Sequence, residues 1–194
     1  MTNLDTDRFD NVSIGGTLIG KLYVPSHSKE KIIISGCPIE EVKSDVRGLA
    51  KFNLGFNMVH NAMVNQGLQD MLDSFFNDLV ADRITHIGLS ADSSAVTATT
   101  TSLDPGTAGS SIKAIANVAR TNQTVHGDQT WTQADVSWAI RKIGFLTSSS
   151  AADVVNIIGG AGGSSPYDED FTLDLTNIAT WSLTMGIDLT ATAS

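Results

Sequence analysis

Apolar and polar residues alternate with a period of two along much of this chain, the pattern of strands that bury one face. The clearest case lies near the end. There Ala179, Trp181, Leu183, Met185, Ile187 and Leu189 alternate with Thr180, Ser182, Thr184, Gly186, Asp188 and Thr190. One face of such a strand belongs in a core, and the other meets water or another subunit. A second alternation runs from Val46 to about Met63, with Phe52, Leu54, Phe56 and Met58 set against Lys51, Asn53, Gly55 and Asn57. It predicts a half-buried antiparallel strand. Val12 to Val24, interrupted by Gly15, Gly16 and Gly20, predicts a bent strand or a short hairpin. Ile32 to Ser35, Ile84 to Ser90 and Asp153 to Ile158 predict shorter strands. Ile112 to Val125 and Thr130 to Leu146 read as two β-rich stretches joined by a hairpin turn at His126-Gly127-Asp128-Gln129. The second of them sets Val136, Trp138 and Ile140 on one face.

One segment breaks the period. Leu68, Met71, Leu72, Phe75, Phe76 and Leu79 follow helical spacing, which predicts an amphipathic helix from about Gln66 to Val80. Asn65 is placed to cap its first turn, and Gln69, Asp70, Asp73 and Asn77 fall on the outward side. The sum predicts a mainly β fold, an antiparallel β-sandwich with one amphipathic α-helix packed on it. Residues 1–11, acidic and polar, read as a mobile N-terminal arm, and residues 12–194 as a single β-rich structural domain. Ala91 to Ser111 and Gly159 to Tyr167 read as long polar connections suited to contacts with neighbouring copies.

Charge and hydropathy narrow the partners. The formal net charge is -9 and the pI is about 4.6, so a phosphate backbone is repelled and nucleic acid is not expected. Charged residues make up 17% of the chain, below the usual quarter or so, and the mean hydropathy of +0.04 is mildly apolar. That combination points to surface reserved for a partner or for copies of the same chain. No apolar run approaches the roughly 20 residues of a membrane span. The N-terminal stretch lacks the basic-then-apolar layout of a signal peptide, so synthesis in a cytoplasm is expected.

The candidate chemistry is thin. His27, His60, His86 and His126 have no companion at metal-ligand spacing. Cys37 is the one cysteine, and Gly36-Cys37-Pro38 supplies no basic neighbour to lower its pKa, so an inert thiol is expected. Asp168, Glu169 and Asp170 are consecutive, whereas calcium loops alternate ligands with spacers, so they read as a solvated bend. Gly159 to Gly163 lacks the following Lys-Ser/Thr and the helix of a phosphate loop. Trp131, Trp138 and Trp181 are too scattered for a carbohydrate platform and read as core or interface anchors. No catalytic, cofactor-binding or metal-binding residue is assigned, no cofactor is expected, and the chain reads as non-enzymatic. A carbohydrate- or calcium-binding module is the alternative outside that class.

Four stretches carry a resemblance. Val64-Asn-Gln-Gly-Leu-Gln-Asp-Met-Leu, followed by Ile84-Thr-His-Ile-Gly-Leu-Ser and a Thr/Ala-rich loop, is similar to small structural proteins of tailed-phage virions. Ala139-Ile-Arg-Lys-Ile-Gly-Phe-Leu resembles the strand those proteins place before a variable loop. Ile178-Ala-Thr-Trp-Ser-Leu-Thr-Met-Gly-Ile-Asp-Leu resembles their alternating closing strand. The resemblance spans about Lys51 to Leu189. It departs from the pattern at Val118-Ala119-Arg120, which keeps the Arg of an acidic-Arg pair and not the acid. It implies a virion component of the tail, neck, baseplate or fibre-attachment apparatus, or alternatively a capsid decoration protein of the head. The implied partners are other copies of the chain, as a trimer or a multiple of three, and other virion proteins.

Overall fold

The alternating closing segment forms β13 (Ser182–Ala193), and its apolar positions are buried: Trp181, Leu183, Met185 and Ile187 are at most 5% exposed. In the computed structural model, residues 12–25, 33–35, 39–44, 49–57, 62–63, 83–97, 99–159 and 172–193 are described. The expected helix of residues 66–80 and the segment 1–11 lie outside them. So do most of Gly159–Tyr167 and the sites His27, Cys37, His60 and Asp168–Asp170. Among the described residues the chain is mainly β, its sheets are antiparallel, and no helix occurs.

β13 pairs on one side with β1 (Val12–Pro25) and on the other with β9 (Thr124–Thr132). β1 in turn pairs with β4 (Leu49–Asn57), and β4 with β3 (Ile39–Ser44). β8 (Asn117–Thr121) closes the other side, giving a six-stranded sheet in the order β3-β4-β1-β13-β9-β8. Residues 12–25 thus form one long strand rather than a hairpin, because β13 pairs with it from Val12 to Tyr23, through all three glycines, and β4 from Thr17 to Pro25.

A five-stranded sheet is built from β5 (Ala62–Met63), β11 (Val154–Gly159), β10 (Lys142–Leu146), β6 (His86–Ser90) and β7 (Ser110–Ala114), in that order. The alternation expected from 46 to 63 is therefore divided between β4 in one sheet and β5 in the other. β2 (Ile33–Ser35) and β12 (Thr172–Asp174) form a small ribbon, joined to the rest by a bridge from Leu173 to Ile140.

One core cluster draws on both large sheets. It joins Leu22 and Val24 of β1, Trp131 of β9 and Leu183, Met185 and Ile187 of β13 to Ile87, Leu89, Ile143 and Phe145 of β6 and β10. Each such aliphatic or aromatic side chain contributes about 1.5–3 kcal/mol of burial.

The five-stranded sheet is also covered on its second face, so all of β10 is buried rather than every other residue. The cover is the connection 91–109. Leu103 is fully buried, and its methyl groups enter a socket made by Gly88 and Gly144, which are paired across β6 and β10. A Cβ on Gly88 would stand 2.5 Å from a Leu103 methyl carbon. Val96, Leu146, Val154 and Ile157 complete this second cluster. Backbone hydrogen bonds fasten the connection at Leu103 N–H to Ala151 O (2.8 Å) and Ala91 N–H to Gly109 O (3.1 Å). The expectation that this connection waits for a neighbouring copy is corrected: its two large apolar residues, Val96 and Leu103, seat it on its own sheet.

The hairpin turn is corrected too. His126 to Gln129 lie inside β9, and the turn falls at Asn122-Gln123, where Asn122 has φ 53°. Asn tolerates that left-handed conformation better than most residues. Val136 and Trp138 precede β10 in irregular chain; Val136 is buried there, and the stretch is anchored by a turn at Thr132–Asp135.

Candidate interaction surface

The histidines weighed from the sequence separate. His86 opens β6, its Nδ1 2.8 Å from the Thr85 hydroxyl oxygen. His126 sits mid-strand in β9 and is flanked by carboxylates on both sides. Its Nδ1 lies 2.5 Å from Asp188 Oδ1 on β13, and its Nε2 lies 3.3 Å from Asp128 Oδ2 on the same strand. Asn117 Nδ2 on β8 donates to Asp128 Oδ1 at 2.6 Å. The register that sets His126 beside Asp188 and Asn117 beside Asp128 produces this row. The hydrogen bond to Asp188, assisted by Asp128 and opposed by partial burial, raises the His126 pKa above its ordinary 6.5. Both ring nitrogens are engaged, so the group ties three strands together. Among the described residues no three His, Cys, Asp or Glu side chains converge as a metal site.

The tryptophans anchor structure, as expected. Trp131 is fully buried and donates from Nε1 to Ser111 Oγ at 3.2 Å, with Lys113 Nζ 6.0 Å from its ring centre. Trp181 is 5% exposed. Trp138 packs against the main core and covers Gly109.

Sequence reasoning passed over a buried ion pair. Lys142, 2% exposed on β10, reaches Asp92 Oδ2 at 2.5 Å and Ser94 Oγ at 3.0 Å. Burial pushes the Asp92 carboxyl up, but the hydrogen bonds and charge of Lys142, with bonds from Ser94, outweigh it and hold the pKa below 3.8. The pair clamps the start of the 91–109 connection to the sheet.

The exposed surface of greatest interest is the β8–β9 hairpin. All five residues of β8 are exposed. Val118 is 71% exposed and Val125 is 41% exposed, the two large apolar residues so placed among the described residues. They rim a shallow cavity of about 70 Å³ with Ile84, Ile115, His126, Gly127 and Ile187. Burial fades along β9 from Trp131 towards the turn at Asn122, leaving the core-side face open at the hairpin.

The edges of the two sheets are treated differently. β3 carries Glu40, Glu41 and Lys43 and has an irregular register at Ile39/Glu41, devices that blunt an edge. β5 is two residues long. β7 is bridged to β9 by Gln129 Nε2 to Ala114 O (2.5 Å) and Lys113 Nζ to Thr130 O (3.2 Å). β8 has Arg120 as its one charged residue and no Pro or bulge. No Asp or Glu stands between Asp104 and Asp128, so the hairpin is neutral to basic on an acidic chain. That gap in the acidic residues is visible in the sequence, and it marks the surface.

Compared with protein-family models, with curated proteins and with solved structures, the chain matches none.

Proposed function

We propose that this chain is a non-enzymatic structural component of a tailed-phage virion, a part of the tail, neck, baseplate or fibre-attachment apparatus that works as a homo-oligomer. The observation that carries the assembly role is the β8 edge, unpaired among the described residues, with Val118 and Val125 beside it, since exposed apolar surface at an unblunted strand edge is a template for another chain. The resemblance described above supplies the kind of particle. The stretches 84–90 and 178–189, which carry it, include β6 and the first eight residues of β13. A β-sandwich is the architecture we assign, supported by the core cluster that joins residues of both large sheets. The His126 row supports a structural role, because its imidazole has both nitrogens engaged, one by Asp188 on β13 and one by Asp128 on its own strand.

Mass spectrometry of purified phage particles, with antibody labelling under the electron microscope, tests the proposal. The chain is expected in stoichiometric amount at the tail or neck. Labelling of the head surface would favour capsid decoration instead, and absence from purified particles would end the virion reading.

A further inference from the structure

β8 offers three things side by side: a backbone edge that no described residue pairs, an apolar side chain at Val118 and a cation at Arg120 on the same face. Arg120 spends one guanidinium N–H, at Nε, on the Asn122 carbonyl at 3.1 Å. A strand added here must be extended, must carry an apolar residue opposite Val118, and must place an acid two residues before it to meet Arg120. The chain itself contains such a stretch: Asp5-Thr6-Asp7-Arg8-Phe9-Asp10.

We propose that β8 receives the N-terminal segment of a second copy as an added antiparallel strand, with Phe9 opposite Val118 and Asp7 opposite Arg120. This rests on the reading of the protein as self-assembling. In an antiparallel pair the residue numbers of partners sum to a constant, so the Phe9–Val118 pairing itself places Asp7 at Arg120 and Asp5 at Asn122. Phe9 and Asp7 then share the face that holds Val118 and the shallow cavity beside it. Main-chain hydrogen bonds supply the affinity and the two side chains set the register.

The occupant comes from another copy for a geometric reason. Asn117 is level with Asp128, Gly186 and Ile19 across the sheet. In the proposed register Asp10 lies opposite Asn117, and two residues of chain span at most about 7 Å to Val12. Val12 of the same chain is seven residues along β1 from Ile19, about 24 Å, and four strand spacings, about 19 Å, to the side. The same chain cannot bridge that gap. The contact is edge to segment, hence heterologous, and closes into a ring when the rotation between copies allows. Charge favours it as well, since the segment carries three Asp against one Arg, while β8 itself carries Arg120 and no acidic residue.

The test uses the full-length chain. Asp7→Arg and Arg120→Asp are each expected to weaken self-association, measured by sedimentation, by about tenfold or more, as like charges set opposite each other do. The double variant, and a mixture of the two single variants, should regain it. A photo-crosslinking residue at position 9, in a mixture of isotopically heavy and light chains, should give heavy–light crosslinks at β8 near Val118. That arm does not depend on how the charge variants fold. A wild-type chain that stays monomeric, association indifferent to both reversals, or crosslinks confined to one chain would each overturn the proposal. Heavy–light crosslinks at Val118 from a chain missing from phage particles would uphold the added strand while removing the virion reading.

Discussion

Asp92→Ala is the sharpest perturbation of the fold, because it strands a buried charge. Lys142 is 2% exposed, on the face of β10 that the 91–109 connection covers. Its ammonium has Asp92 at 2.5 Å and Ser94 Oγ at 3.0 Å. Removing one partner of a buried pair costs about 3–5 kcal/mol. The expected loss is therefore about 3–5 kcal/mol at pH 7. In the wild type the pair is sensitive to acid. The Asp92 pKa is lowered from 3.8, so its stabilisation is present above that value and is lost as pH falls through the lower folded-state pKa. Urea unfolding at pH 7 measures the loss. Asp92→Ala with Lys142→Met should stand close to wild type, because the apolar replacement strands no charge. A loss below about 1 kcal/mol at pH 7, the size of an exposed pair, would refute the desolvated lysine.

Leu183→Ala should cost about 2–5 kcal/mol by the same measurement, since Leu183 is 1% exposed in the main core. Gly88→Ala should cost about 1–3 kcal/mol by driving a methyl into Leu103, and Leu103→Ala should speed amide exchange across 91–109 more than in the main core. His126→Gln should lower the melting temperature most below pH 6.5. A histidine whose folded-state pKa is raised stabilises fully below its unfolded value, and that stabilisation disappears as pH rises through the folded value. Equal losses on both sides of that window would remove the charged role assigned to the ring.

The period-two pattern was enough to place β13 and its buried face, because every second residue there meets one continuous core. It also marked the short strands β6 and β11, whose apolar runs are bounded by polar or glycine-rich chain. It misplaced the β8–β9 turn by four residues. His126-Gly127-Asp128 has turn-like composition, yet a strand on either side supplies the hydrogen bonds that keep it extended. The row of His126, Asp128, Asp188 and Asn117 was illegible for the same reason. His126 and Asp188 are 62 positions apart in the chain and become neighbours through register alone.

Composition and alternation by themselves determined a mainly β chain, an acidic surface and a surplus of apolar residues, since these depend on residue type and nearest neighbours. The tertiary structure decided which polar residues are interior. Lys142 and Ser90 are polar, yet the connection 91–109 lies over their side of the sheet and buries both. The connection reads as a polar loop because its two anchors, Val96 and Leu103, are isolated in the sequence, and their holding power comes from a glycine socket assembled by two other strands. Edge status was equally hidden: β8 has the composition of any short strand, and only the order of pairing leaves its outer backbone without a neighbour among the described residues. A periodic pattern reports what one face of a strand needs, while covering the second face, or leaving an edge open, is a property of partners distant in the chain.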